Sequence, residues 1–230
     1  LLLKKGINMM EFTLSKFNML IFVTAIVAIV LFFMTTVNDN LKNRQSFELV
    51  YRVDKEVKSG IDSRSYCSIK YIELPTRITT NESTSSTFNL NYVLNVSSYS
   101  MSSIPDANYD NKLIFSIMDR KQSKIYAASD VDFNGILHLY NWEYNNGEYN
   151  FDEIIDSEGP ISTSYDPLRE RSIDNSLVFI KKIKQGVPHY YLLPCATKYG
   201  IRQCQAFACS VLKESESVDC ISIVPDLNCS

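Results

Sequence analysis

The sequence predicts an α+β fold: a long N-terminal helix, transmembrane in its first half and amphipathic in its second, packed on an antiparallel β-sheet head with a disulfide-stapled C-terminal segment. Three observations carry this expectation. Residues 19–37 are apolar and uncharged, short alternating runs separated by turn residues follow one another from Cys67 to Leu193, and five of the six cysteines fall in the last 36 residues.

Met19 to Val37 reads MLIFVTAIVAIVLFFMTTV, and its only polar side chains are Thr24, Thr35 and Thr36. Threonine hydroxyls bond back to helix carbonyls and so tolerate lipid. Nineteen helical residues reach about 28 Å, close to the hydrocarbon thickness of a bilayer. A core helix of this length would usually show a polar face. A cleaved secretory signal would be shorter and would end in small residues, where this chain has Met34, Thr35, Thr36, Val37 and Asn38. The expectation is therefore an uncleaved anchor, with residues 1–18 a cytoplasmic segment or leader. Basic residues flank the span evenly, Lys4, Lys5 and Lys16 before it and Lys42, Arg44 and Arg52 after it, so charge alone does not orient it.

Beyond the span, Phe47, Val50, Val57 and Ile61 recur at helical steps, Asp54 interrupts them and Gly60 offers a stop. Residues 38–60 are expected to form an amphipathic stem whose stripe packs on the sheet that follows. Strands are expected at Cys67–Leu74, Thr87–Val96, Lys112–Met118, Lys124–Ala128, Ile136–Tyr144, Glu148–Ile155, Ser176–Ile183 and Tyr190–Leu193, arranged as an antiparallel meander within a β-rich domain of residues 61–230. The clearest hairpin is WEYNNGEYNF, because Asn146 and Gly147 both accept the positive φ of a tight turn. Further turns are expected at Lys121–Ser123 and Gln185–Pro188. Thr79–Ser86 and Asp156–Pro167 read as polar loops, and the last thirty residues as an irregular or helical tail clipped to the sheet.

The formal net charge is −3; with Lys4, Lys5, Lys16 and Glu11 set aside, 20 basic residues face 25 acidic ones. A body of net charge −5 lacks the basic face a nucleic-acid binder needs. Cys67, Cys195, Cys204, Cys209, Cys220 and Cys229 all follow the span, an even number, which points to disulfides and an oxidising compartment. Fifteen pairings of six cysteines exist, and the sequence selects none of them. Zinc is the competing reading, but no C-x-x-C occurs and only His138 and His189 are available as nitrogen ligands. N-x-S sequons at Asn81, Asn95 and Asn228 are candidate glycan acceptors on an exported domain. The cysteines thus orient the chain, with the N-terminus cytoplasmic and the C-terminal domain extracellular.

Lys4-Lys5-Gly6, then Ile7 to Phe12 with Glu11 among them, then an apolar helix, resembles the class III signal of type IV pilin-like proteins, especially archaeal ones. The resemblance implies cleavage after Gly6 and a role for Glu11 in neutralising the new amino terminus of a neighbouring subunit. It also implies a long helix, apolar and then amphipathic, followed by a β-sheet head with disulfides near its C-terminus. Thr13, Ser15, Lys16 and Asn18 stand where the family is usually apolar. Held at the bilayer centre, Lys16 would cost about 2.5–3.5 kcal/mol.

Residue patterns for chemistry are few. G-x-S-x-G, H-E-x-x-H, G-x-x-x-x-G-K-[ST] and G-x-G-x-x-G do not occur. His138 in an alternating strand and His189 beside a turn read as ordinary imidazoles, and Asp152, Glu153 and Asp156 as solvated loop acids rather than a glycosidase pair. Asp130, Asp132, Asn134 and Gly135 spell the opening of a calcium loop, but Asn141 stands where the closing bidentate glutamate belongs. A weak calcium site and a plain Asx-type turn are the two readings of this stretch. Tyr140, Trp142, Tyr144, Tyr149 and Phe151 alternate on the hairpin, either as a stacking platform or as a packed sheet face.

The resulting expectation is a non-enzymatic, membrane-anchored cell-surface protein for adhesion, assembly or envelope structure, with no cofactor beyond the calcium reading. Its partners would be the membrane, copies of itself in an oligomer or filament, and a surface glycan or protein ligand. The alternatives are a processed pilin subunit in a surface filament and a surface glycan-binding protein or hydrolase.

Overall fold

The structure is a computed structural model that describes residues 2–79, 89–100, 111–121, 124–145, 148–154, 161–166, 175–196, 200–213 and 220. The chain divides into two compact units, Leu1–Lys42 and Asn43–Ser230, and helix α1 (Leu2–Ile61) contributes to both.

In the first unit every described side chain from Leu14 to Val37 is exposed, the large apolar residues included. The hydroxyls are satisfied within the helix: Thr24 Oγ1 donates to the carbonyls of Leu20 and Ile21 at 3.0 and 2.9 Å, and Thr35 and Thr36 both donate to that of Phe32 at 2.9 Å. A surface this apolar, with its few polar atoms turned back on the backbone, is suited to hydrocarbon and not to water. Among the described residues, α1 is the helix long and apolar enough to cross a membrane.

In the second unit, α1 buries Ser46, Leu49, Val50, Val53, Val57 and Gly60, one stripe at three- and four-residue steps. The stripe is turned from the one the sequence suggested. Phe47 lies outside it, exposed and stacked on Tyr51, while the small residues Ser46 and Gly60 lie within. Gly60 does not stop the helix through a left-handed backbone. A Cβ on Gly60 would sit 2.5 Å from the Phe179 ring, so its bare Cα is what lets the sheet approach.

The strands are β1 (Cys67–Leu74), β2 (Ile78–Thr79), β3 (Asn89–Leu90), β4 (Tyr92–Ser100), β5 (Asn111–Asp119), β6 (Ile125–Phe133), β7 (Ile136–Asn145), β8 (Glu148–Glu153), β9 (Ile161–Tyr165), β10 (Asn175–Lys184) and β11 (Val187–Ala196), followed by helix α2 (Gly200–Lys213). They form a five-stranded sheet in the order β1-β10-β11-β7-β8, a four-stranded sheet in the order β6-β5-β4-β9, and the small ribbon β2-β3. The meander expected from the sequence is corrected here. β1 pairs with β10, more than a hundred residues on, and β11 pairs with β7 in parallel, while the other pairings are antiparallel. The polar loop expected at 156–167 is corrected too, because Ile161–Tyr165 is β9, which pairs with β4 and buries Thr163 and Tyr165. Its alternation is hidden by serine and threonine, whose hydroxyls resemble loop chemistry.

The four-stranded sheet has the alternation of a sheet with one buried face: Tyr92, Leu94 and Val96 on β4 and Leu113, Phe115 and Ile117 on β5 point inward. They share one cluster with the α1 stripe and with Ile72, Leu74, Leu139, Leu177, Phe179, Tyr190 and Leu192 of the five-stranded sheet. The opposite face of the five-stranded sheet carries Val178, Ile180, Tyr191 and Leu193, which pack with Ala208, Val211 and Leu212 of α2. With both faces covered, β10 and β11 read as continuous apolar runs, as central buried strands do. The β10–β11 hairpin closes through Gln185 and Gly186, both at positive φ (52° and 82°), the backbone of a primed two-residue turn. In the hairpin of β7 and β8, Tyr144 pairs with Tyr149 and Asn145 with Glu148, the register a two-residue loop at 146–147 demands. Those two residues, and the middle of the turn at 121–123, lie outside the described ones.

The C-terminal segment is stapled as expected. Cys67 of β1 is joined to Cys220, and Cys195 of β11 to Cys204 of α2. Cys209 is also in a disulfide, and Cys229 lies outside the described residues.

Candidate functional site

The five-stranded sheet brings together the only two histidines of the chain. On β7, His138 and Tyr140 alternate onto the face that carries α2; on β11, His189 and Tyr191 do the same. The parallel register sets Tyr191 opposite His138, which leaves His189 one diagonal step away. This register depends on Gly135, at φ +146°, where a Cβ would meet the Pro188 carbonyl oxygen at 2.3 Å. Only glycine permits the backbone of β7 to start so close to β11.

A hydrogen-bonded chain results. Glu153, which ends β8, places Oε1 2.6 Å from His138 Nδ1, and His138 Nε2 stands 3.0 Å from His189 Nδ1. Tyr140 donates its hydroxyl to Glu153 Oε2 at 3.4 Å, and Tyr191 stacks on the His138 ring with centroids 4.5 Å apart. The imidazole planes lie within 13° of each other with centroids 5.3 Å apart. That is the widest separation a 3.0 Å nitrogen contact allows, so the rings meet edge to edge with their nitrogens aimed at one another. A carboxylate only accepts, so His138 Nδ1 donates to Glu153; in the neutral pair His138 Nε2 then accepts and His189 Nδ1 donates. Burial, then His138, Lys184 and Lys182 nearby, holds the His189 imidazole below its ordinary pKa range. The arrangement orients one imidazole through a carboxylate and couples it to a second, an array able to hold or relay a proton or to present nitrogen donors.

Nothing in the sequence places these two histidines side by side. The pairing of β7 with β11 that unites them, across 51 residues of chain, leaves no local pattern. The available signal was the alternation of each histidine with a tyrosine, His138 with Tyr140 and His189 with Tyr191.

The other sequence candidates fall as follows. Asp130 and Asp132 lie on the same side of β6, with the Lys112 ammonium 2.7 Å from Asp130 and 3.6 Å from Asp132. Lys112 thus occupies the position expected of a cation, and its contact lowers the Asp130 pKa. Asn134 and Gly135 form the β6–β7 turn and accept bonds at their carbonyls, Asn134 from Tyr190 and Gly135 from Asn111. Among the described residues, no three His, Cys, Asp or Glu side chains converge as a metal-binding group. Asp152 and Glu153 are consecutive on a strand and so face opposite ways, which prevents them from flanking one glycosidic bond; Asp156 lies outside the described residues.

Tyr140 and Phe151 pack against Phe207 of α2, with centroids 4.9 and 5.0 Å away, so this end of the aromatic stripe is interior packing; the side chains of Trp142, Tyr144 and Tyr149 lie outside the described ones. Asn95 is half-buried on β4, its Oδ1 accepting from Ser164 at 3.3 Å, whereas Asn81 and Asn228 lie outside the described residues. Gly6 and Glu11 belong to the α1 backbone, and the described side chains of that helix begin at Leu14. An open groove of about 480 Å³ lies beside the second part of α1, lined by Glu48, Arg52, Pro75 and Arg77 among others; Arg52 is engaged with the Glu73 carbonyl at 2.7 Å.

No protein-family model, no curated protein and no solved structure matches this chain.

Proposed function

We propose that this protein is a single-pass, membrane-anchored cell-surface protein without enzymatic activity, pilin-like in architecture, whose disulfide-stabilised head serves adhesion or envelope structure. One observation carries the reading: a single helix leaves all its large apolar side chains bare from Leu14 to Val37, yet buries Leu49, Val50, Val53 and Val57 in a protein core. Bare hydrocarbon on this scale is stable in lipid or against like helices. The disulfides Cys67–Cys220 and Cys195–Cys204 support an oxidising location for the head, and hence a cytoplasmic N-terminus. The head's ligand would be a surface glycan or another protein.

The test is membrane fractionation with protease added from outside the cell. Recovery in the membrane fraction, with the head cleaved only when protease reaches the outer face and its cysteines resistant to alkylation, is the expected result. Recovery as a soluble protein with free thiols removes the reading.

The resemblance at Gly6 and Glu11 favours a second version, in which the bare part of α1 is covered by copies of itself in a filament. N-terminal sequencing of the mature protein separates the two: Ile7 as the first residue supports the filament subunit, and an intact Lys4-Lys5-Gly6 removes it.

A further inference from the structure

We propose that His138 Nε2 and His189 Nδ1 form a two-histidine site for a divalent transition metal, copper(II) above zinc(II), with Glu153 as the carboxylate that orients His138. The first support is spacing. His138 Nε2 and His189 Nδ1 are hydrogen-bonded at 3.0 Å, close enough that a turn of His189 brings both within the bonding distance of about 2.0–2.1 Å from one ion. The second is orientation. Glu153 holds His138 Nδ1 at 2.6 Å, the outer-shell contact that fixes the tautomer and the orientation of the ligating ring. Tyr191, stacked parallel to His138 within 8°, holds that ring in its plane. The third is competition: the described cysteines are oxidised, so thiolates do not draw the metal away.

In the metal-free pair, one hydrogen lies between the rings. For metal to enter, the His189 hydrogen moves from Nδ1 to Nε2, the inter-ring hydrogen bond breaks, and His189 turns so that both lone pairs converge on the ion. Glu153 is bound to the far side of His138 and remains there. Water fills the remaining coordination positions. Two imidazoles select a borderline ion over magnesium or calcium, which prefer oxygen, and favour copper(II) over zinc(II). Lys182 and Lys184 stand near His189 and oppose a dication, while Glu153 offsets one of these charges. The bound metal would also tie β7 to β11 at the four-residue parallel seam.

The experiment uses the full chain in detergent, stripped with chelator and titrated calorimetrically with copper(II), zinc(II) and magnesium(II). One equivalent of copper is expected to bind more tightly than zinc, magnesium is expected not to bind, and the melting temperature should rise with metal concentration. His138→Ala and His189→Ala should each weaken binding by at least about tenfold, and Glu153→Gln by about tenfold, while all three melt cooperatively in metal-free buffer. The proposal is overturned if the double variant His138→Ala/His189→Ala keeps the wild-type affinity, or if folded wild-type protein shows no saturable binding. This test does not depend on whether the apolar helix lies in lipid or in a filament.

Discussion

Lys181 and Lys182 are consecutive residues of β10 that cap the ends of two different helices. Lys181 Nζ donates to the carbonyls of Ile61 and Ser63, both at 2.6 Å, where α1 ends; Lys182 Nζ donates to the Val211 carbonyl at 2.7 Å, in the last turn of α2. Strand alternation sends neighbours to opposite faces. On each face the lysine meets a last-turn carbonyl, of Ile61 or of Val211, that lacks an intrahelical partner and stands at the negative end of the helix dipole. Two buried ammonium groups thereby position one helix on each side of the sheet.

Lys182→Met keeps most of the buried stem and removes the donor, leaving the Val211 carbonyl unpaired. The expected cost is about 1.5–3 kcal/mol, the range for hydrogen bonds to charged groups. Urea denaturation of the detergent-solubilised protein checks it; a loss under 0.5 kcal/mol, about the level of a neutral surface change, would mean that solvent satisfies the end of α2.

Tyr92 sets a stability limit at alkaline pH. It is fully buried and donates to the Pro75 carbonyl at 2.6 Å, and burial raises its pKa well above the ordinary value of 10.0. The unfolded chain then loses the proton before the folded one does. Its contribution is fully present below pH 10.0 and is lost as pH rises beyond it. Tyr92→Phe should be less stable at neutral pH by about 1 kcal/mol for the lost hydrogen bond, with a shallower decline between pH 10 and 11. An unchanged slope would remove Tyr92 as its source.

The two described disulfide pairs should differ in worth. Cys67–Cys220 closes a separation of 153 residues and Cys195–Cys204 one of 9. In the chain-entropy account, these correspond to about 5 and about 2.6 kcal/mol. Replacing each pair by serines and comparing denaturation midpoints tests the order, which reverses only if contacts beyond loop closure dominate.

Gly135→Ala should be among the more damaging single-methyl changes in the head. Its φ of +146° excludes a side chain, and the added Cβ would press on the Pro188 carbonyl. A destabilisation of about 3 kcal/mol is expected from backbone strain together with the clash. The coupled proton resonances of His138 and His189 should separate at the same time, since this seam holds them together. Unperturbed histidine signals would dissociate the pair from the glycine.

What the sequence discloses and what it conceals divide along physical lines. The long apolar helix rests on composition, and the strand runs 67–74, 112–118 and 176–183 and the two strands on either side of residues 146–147 rest on local periodicity and turn chemistry; the structure has these strands within a residue or two. Pairing over long distances is invisible to such reasoning. Neither the β1–β10 ladder nor the parallel β7–β11 seam has a local signature, so the Glu153–His138–His189 chain could not be assembled from alternation alone. The aspartates of β6 show the same limit. Their spacing suits a calcium loop, but the cation facing them is Lys112, supplied by the strand next door.

The two parts of α1 should respond separately to the same substitution. Ile29 is exposed on the bare part, whereas Val53 is wholly buried in the head. A lysine at the centre of a membrane helix costs about 2.5–3.5 kcal/mol of insertion. Ile29→Lys should therefore shift protein out of the membrane fraction while the head keeps its oxidised cysteines and its melting transition. Val53→Lys introduces an unpaired charge into the core, a class of change worth about 4 kcal/mol or more. It should unfold the head and leave membrane association intact. If Ile29→Lys instead destabilised the head and stayed in the membrane, the bare surface would have to be a protein-packing face, and lipid would lose its claim on this helix.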